Sequence, residues 1–197
     1  RALGVLPEQS SSEPEARGRV EWIKLFGVLF DKEDEAAHLF NEQKARVEQT
    51  SGLAASGKTV AYFYINSNGA AVTRRAGDYV AQMIELAGGN YALDDAQTAS
   101  TSGSSVTLEM ERFYETAKDA DIIVYNGTID ESVATLNDFV SKSALLSQFK
   151  AVKNGNVWVT CADMYQQMTS TADIIDELHG AFTGDDASDF HYLRKLG

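Results

Sequence analysis

A chain of 197 residues with 17 Lys and Arg against 29 Asp and Glu carries a formal net charge of −12, which argues against the broad basic face that phosphate-backbone binding requires. The length suits one domain with a sizeable core and an appended segment. Cys161 is the only cysteine, which excludes an intramolecular disulfide and any cysteine-based zinc cluster. No apolar run approaches a membrane span, and no charged, apolar and small-residue sequence marks a signal peptide. The start at Arg1 rather than Met raises the expectation of a segment upstream.

Both prolines, Pro7 and Pro14, fall in or beside the polar stretch Glu8 to Arg17, which reads as a loop or linker. From Arg19 onward Val20, Ile23, Phe26 and Phe30 make one helical stripe, and Trp22, Leu25 and Leu29 make a second beside it. A helix normally needs one apolar face against one core. Two stripes imply either a central helix covered on both sides within one domain, or a helix clamped between this domain and a preceding lobe. A second helix is expected from Lys32 to about Gln49, with Ala36, Leu39, Phe40, Gln43 and Val47 on one side. Gly52 to Thr59 matches the phosphate-loop pattern G-x-x-x-x-G-K-[ST], but a helix precedes it and a strand follows, the reverse of what that chemistry needs.

The run Thr59 to Ile65 predicts a buried strand, followed by a polar loop carrying Arg74 and Arg75. Val80, Met83, Ile84 and Ala87 then give a helix face, and Gly88-Gly89 suits its C-terminal stop. Asp94 to Ser105 reads as a loop, and Thr107 to Lys118 as a helix with Thr107 as N-cap. Ile122 to Tyr125 reads as a buried parallel strand ending in the turn Asn126-Gly-Thr128. Val133, Leu136 and Val140 mark another helix, and Leu145, Leu146 and Phe149 a short apolar segment. Asn154-Gly-Asn156 is a turn before the strand Val157 to Thr160, and Met168, Ala172, Ile175, Leu178 and Phe182 mark the last long helix. This order predicts an α/β fold, a three-layer sandwich with a mainly parallel central sheet.

Ligands of open α/β sheets sit outside the carboxyl ends of the strands. The loops there hold Asn66, Arg74, Arg75, Asn126, Thr128, Tyr165, Gln166 and Gln167. Guanidinium groups hold carboxylates or catecholates, amides bond a polar periphery, and a tyrosine stacks on a flat chelate or macrocycle. The plain structural alternatives are that one arginine pairs with a surface carboxylate, that Asn126 only makes its turn, and that Tyr165 only starts a helix. His38, His179 and His191 share no ligand spacing, so neither a protein-held metal nor a resident cofactor is expected. No nucleophile sits in a motif with a base, so the reading is a binding protein and not an enzyme.

Several segments carry a family resemblance. Arg19-Val-Glu-Trp-Ile-Lys24 resembles the start of the interlobe helix of ABC-transporter substrate-binding proteins of the ferric siderophore, haem and cobalamin class. Asp78 to Gly89 resembles that class's lobe-opening helix and AGG stop, and Glu111-Arg-Phe-Tyr, Asp119 to Asn126 and Ala151 to Trp158 resemble its later helix and strands. The resemblance implies a linker over residues 1–18, an interlobe helix and following helix over 19–50, and a C-terminal substrate-binding lobe over 51–197. It implies an extracytoplasmic, membrane-anchored lipoprotein that captures an iron-chelate, haem or corrinoid ligand and delivers it to an ABC permease in the membrane. Glu111, with Glu109 as its competitor, would dock on permease arginines. The N-terminal lobe of the class has no counterpart in this chain, which would leave apolar surface of Trp22, Leu25 or Phe26 uncovered and favour self-association of the fragment. The reading from another class is a flavodoxin-like cytosolic enzyme or regulator binding a nucleotide or phosphate at the same strand ends.

Overall fold

A computed structural model describes residues 13, 15–94, 103–162, 164–166 and 168–197. The expected linker over residues 1–18 therefore lies mostly outside the described residues, as does most of the expected loop after Asp94. Helices α1 (Ala16–Leu29) and α2 (Glu33–Ser51) lead into strand β1 (Thr59–Ile65) and a short strand β2 (Ala71–Arg74). Next come α3 (Tyr79–Leu86), β3 (Asn90–Tyr91), β4 (Ser105–Leu108), α4 (Met110–Ala117) and β5 (Ile122–Tyr125). The chain continues through α5 (Leu136–Ser141), a 3-10 turn (Ala144–Gln148), α6 (Lys150–Lys153) and β6 (Val157–Thr160). Two more 3-10 turns (Met164–Gln166 and Met168–Ser170), α7 (Thr171–Thr183) and β7 (Leu193–Lys195) complete it.

Among the described residues the strands form one seven-stranded sheet in the order β4-β2-β1-β5-β6-β7, with β3 also paired to β1. The central pairings β1 with β5 and β5 with β6 are parallel, as is β1 with β3. The flanks are antiparallel: β2 on β1, β4 on β2, and β7 on β6. Strands β5 and β6 are buried on both faces, as parallel strands covered by helices are. Successive residues of β1 alternate between two cores: Val60 and Tyr62 face α3 and α7, while Ala61, Phe63 and Ile65 face α4, α5 and α6. Phe63 anchors the second core, its ring centroid 4.5 Å from Phe113 and 5.7 Å from Tyr125. Helices thus cover both faces of the sheet, which is the expected three-layer α/β arrangement.

Two expectations need correction. The segment after β1 is a β-hairpin and not an open loop: Asn66 Oδ1 accepts from the Asn68 and Ala70 amides at 2.9 and 3.1 Å, and Gly69 takes a left-handed φ of 79°. The chain then returns as β2, with Thr73 opposite Phe63. Likewise Thr107 does not cap a helix; it pairs with Val72 in β4, and α4 starts three residues later with Glu109 in the N-cap position. Helix α3 does end as its glycines predict. Gly88, at φ 82°, lets the Gly89 amide bond Ile84 O at 3.0 Å and its own amide bond Glu85 O at 2.9 Å.

Helix α1 packs on α2 so closely that a Cβ at Gly27 would lie 2.6 Å from Ala36 Cβ. Its first half, with Val20 buried, also meets α3 and the Met168–Ser170 turn. Its second half is not enclosed by the described residues. Trp22, Ile23, Leu25 and Phe26 are only half-buried, and Val28, Leu29 and Phe30 are exposed, Phe30 at 70%. Leu39 of α2, in the same helical hairpin, is exposed as well.

Candidate functional site at the carboxyl edge of the sheet

Strands β1, β5 and β6 run parallel, so the chain leaves all three at one edge of the sheet. The post-β5 turn is fixed by contact with the end of β6. A Cβ on Gly127 would lie 2.2 Å from Thr160 O, so only glycine fits there. Thr128 Oγ1 donates to Cys161 O at 2.9 Å, and the Thr128 amide donates to Thr160 Oγ1 at 3.3 Å. Thr128 therefore ties the two strand ends together.

Asn126, 4% exposed, donates from Nδ2 to the Tyr165 hydroxyl at 2.8 Å. The Tyr165 and Tyr62 hydroxyls lie 2.6 Å apart. The partnership draws the Met164–Gln166 turn down onto β1, with Tyr165 half-buried and its ring edge-on to Tyr79 at 6.3 Å. Asn126 Oδ1 is buried without a hydrogen-bond partner among the described residues. Burial pushes the phenols of Tyr62, Tyr79 and Tyr165 above the usual tyrosine range, so they stay protonated and act as hydrogen-bonding groups.

The paired arginines separate, as neighbours on a strand end should. Thr73 faces Phe63 across the hairpin, which puts Arg74 on the same face as Tyr62. Its guanidinium lies 5.2 Å from the Tyr165 ring centroid and 5.3 Å from that of Tyr79. Arg74 Nε approaches Asp78 Oδ1 at 3.1 Å, an ion contact without hydrogen-bond alignment, and Nη1 donates to the Ser104 and Ser105 hydroxyls. Asp78 also caps α3 by accepting from the Val80 amide at 3.0 Å. Burial raises the Asp78 carboxyl above its ordinary value, although Arg74 and the Val80 amide pull the other way. Arg74 is thus largely inward and already supplied with a carboxylate. Because β2 runs back antiparallel to β1, Arg75 comes level with Ala61, away from the carboxyl edge on which it was expected; its Nη1 donates to Gly103 O at 3.4 Å, and no ion pair among the described residues involves it.

Asn66 stands at the tip of the β1–β2 hairpin on the same edge, its Oδ1 spent on the turn. Gln166 lies on the Tyr165 turn, and Gln167 falls outside the described residues. Glu109 and Glu111 are both exposed at the start of α4, Glu111 in its first turn, where a carboxylate favours the helix dipole. His38 is exposed on α2, His179 Nδ1 pairs with Ala87 O at 3.0 Å, and His191 packs edge-on to Tyr192. The phosphate-loop look-alike sits between α2 and β1, in the reversed order expected.

Several residues of this edge escaped sequence reasoning. Arg19 of α1, 7% exposed, lies 4.0 Å over the Tyr79 ring and donates to Tyr165 O at 3.3 Å. Asp78 immediately before an apolar-periodic run is an N-cap signal, which would have located it. Tyr62 carries no such signal, because its role follows from strand register alone. Taken together the edge is an array of amides, phenols and guanidinium groups on rigid strand ends, suited to holding a polar ligand by hydrogen bonds.

Comparison with known proteins agrees with this geometry. A model described as periplasmic binding protein matches residues 8–164. An uncharacterized lipoprotein of Methanocaldococcus jannaschii is 31% identical over 172 residues, covering 84% of this chain and 39% of the relative. A second uncharacterized protein of that organism is 22% identical over 194 residues, covering 93% of this chain and 56% of the relative. The chain thus spans less than two thirds of either relative's length. Among solved structures, the periplasmic heme-binding protein of Roseiflexus sp. RS-1 in apo form superposes with a TM-score of 0.71 at 16% identity, over 88% of this chain and 65% of that one. An ABC-type Fe3+-hydroxamate transport system protein of Saccharomonospora viridis gives a TM-score of 0.70 at 20% identity, over 86% and 57%. At such identities these two likenesses speak for the fold. The family-model match over most of the chain makes this chain a member of the periplasmic binding protein family.

Proposed function

We propose that the chain is the C-terminal lobe of the solute-binding component of an ABC importer, which captures a ferric siderophore, haem or corrinoid outside the cytoplasm and presents it to a membrane permease. The observation that carries this reading is the convergence of the hairpin tip at Asn66, the post-β5 turn at Asn126 and the Tyr165 turn on one sheet edge. Open α/β sheets bind ligands there. The solved relatives bear names of heme, Fe3+-hydroxamate and vitamin B12 binding or transport, which supports this class of cargo.

A second lobe completes the cleft in this reading and covers the apolar end of α1 and α2, where Val28, Leu29, Phe30 and Leu39 are exposed. Ligand capture is then closure of two stiff lobes with small hinge motion. The lipoprotein relative supports a lipid-anchored, extracytoplasmic location. No helix among the described residues is long and apolar enough to cross a membrane. Chemistry on the cargo is not part of the role: the edge supplies binding groups. Titration of the full-length protein with ferric siderophores, haemin and cobalamin, followed by tryptophan fluorescence, tests the proposal. Saturable quenching by one of them is expected, and no response to any would overturn it.

A further inference from the structure

An open concavity of about 450 Å³ lies at the same edge but on the α5 side of the sheet, away from the Tyr165 cluster. Its walls are the hairpin tip, with Tyr64, Asn66 and Ser67, and the post-β5 loop, with Ile129 and Asp130, closed at the back by Lys142 of the turn after α5. The two walls are tied together by Tyr125, whose hydroxyl accepts from the Ile65 amide at 3.1 Å and donates to Asp130 Oδ2 at 2.6 Å. The shape is therefore held by the sheet.

A census of its polar atoms shows an imbalance. The side-chain carbonyl and carboxylate acceptors are consumed internally, and the hydroxyls of Ser67 and Tyr64 can donate or accept. Asn66 Oδ1 takes two backbone amides of its own turn. Asp130 Oδ2 takes the Tyr125 hydroxyl and Lys142 Nζ, and Oδ1 takes the Ser132 amide and hydroxyl. The donors are left over. Asn66 Nδ2 and the Ser67 hydroxyl have no partner among the described residues, and Lys142 Nζ, bonded to Asp130 at 2.6 Å and Ser132 Oγ at 2.7 Å, retains one N–H. The charges of Lys142 and Asp130 cancel at contact distance. Ile129, 55% exposed, and the Tyr64 ring add apolar surface.

We infer that this concavity receives an uncharged, carbonyl-rich arm of the ligand, of the amide or hydroxamate type, with its oxygens on Asn66, Ser67 and Lys142 and its methylene carbons on Ile129 and Tyr64. Leftover donors select acceptors, and a site with no unpaired cation gives a multiply charged anion nothing to offset its desolvation. The inference rests on the solute-binding reading above and narrows its ligand.

The test uses the full-length protein and three probes: ferrichrome, a neutral ferric trihydroxamate; a ferric tris-catecholate; and haemin. Asn66→Asp keeps the oxygen that organises the turn and removes the amide donor; Ser67→Ala removes the hydroxyl on an exposed tip. Ferrichrome is expected to bind, with affinity falling about tenfold in Asn66→Asp and severalfold in Ser67→Ala, and with the Asn66 side-chain amide resonance shifting on addition. Ferrichrome binding that neither substitution weakens and that leaves the resonance in place overturns the inference. So does binding of the tris-catecholate or haemin alone, which leaves the solute-binding reading standing. Failure of all three to bind overturns the inference, and only if cobalamin also fails to bind does the solute-binding reading fall with it.

Discussion

Asp130 shows how one side chain serves the edge. Burial by itself would raise its carboxyl, but hydrogen bonds from Lys142, Ser132 and Tyr125 outweigh that and bring it down to about 2. A carboxylate whose folded value lies below its ordinary 3.8 contributes stability that is complete above that value and is lost as pH falls toward 2. With allowance for solvent screening of this partly exposed group, the stabilisation at neutral pH comes to about 1 kcal/mol. Urea unfolding of the parent chain should therefore lose that amount between about pH 5 and pH 2, and Asp130→Asn should flatten the decline. Equal slopes in the two proteins would show that Asp130 is not the group responsible. Arg74 illustrates the opposite case, a charge enclosed by two tyrosine rings and Asp78, where the partners hold the residue inward.

At the scale of elements, α4 presents Glu109 and Glu111 to solvent because Met110, Phe113 and Ala117 occupy its buried face. If Glu111 docks on permease arginines, Glu111→Lys in the full-length protein should abolish ligand-stimulated ATPase activity of the reconstituted importer while ligand affinity stays unchanged. Undiminished stimulation would assign docking elsewhere, with Glu109→Lys the next variant. Elements with one strong period were legible in the sequence. Strand β1 announced itself by a seven-residue run of β-formers, and α3 by its stripe and paired glycines. Strands β2 and β4 did not. Four residues such as Ala-Val-Thr-Arg or Ser-Val-Thr-Leu carry too little pattern to separate from a polar loop, and only their pairing at the sheet edge makes them strands. Site residues divide the same way. Asn66 and Asn126 follow from topology, since a strand end fixes where they stand, whereas Arg75 leaves that edge because β2 turns the chain back. The inward set of Arg74, and the arrival of Arg19 from α1, depend on register and helix packing that no local pattern encodes.

For the molecule as a whole, the α1–α2 hairpin is the element from which behaviour in solution is predicted. Its inner half is fastened: Gln43 Oε1 accepts from the Ala172 amide at 3.0 Å, and Arg46 pairs with Asp173 and Asp176 of α7 at 2.6 Å each. The outer half projects with Val28, Leu29, Phe30 and Leu39 on its surface. Large apolar side chains left in water favour a cover. Sedimentation of the 197-residue chain is expected to show concentration-dependent association, abolished by Leu29→Ser with Phe30→Ser, both of which sit clear of the core. A monomer at all concentrations would mean that the hairpin tolerates water without a partner.

The turn after β5 has a practical corollary for anyone producing this protein. Asn126-Gly-Thr128 spells an N-linked sugar acceptor, yet the asparagine is 4% exposed and its neighbour is pressed against Thr160. A secretory host such as yeast attaches glycan while the polypeptide is still emerging, before that niche closes. Material made there would carry a carbohydrate wedge where Tyr165 must seat, whereas a bacterial host, or a Thr128→Val template, avoids the obstruction.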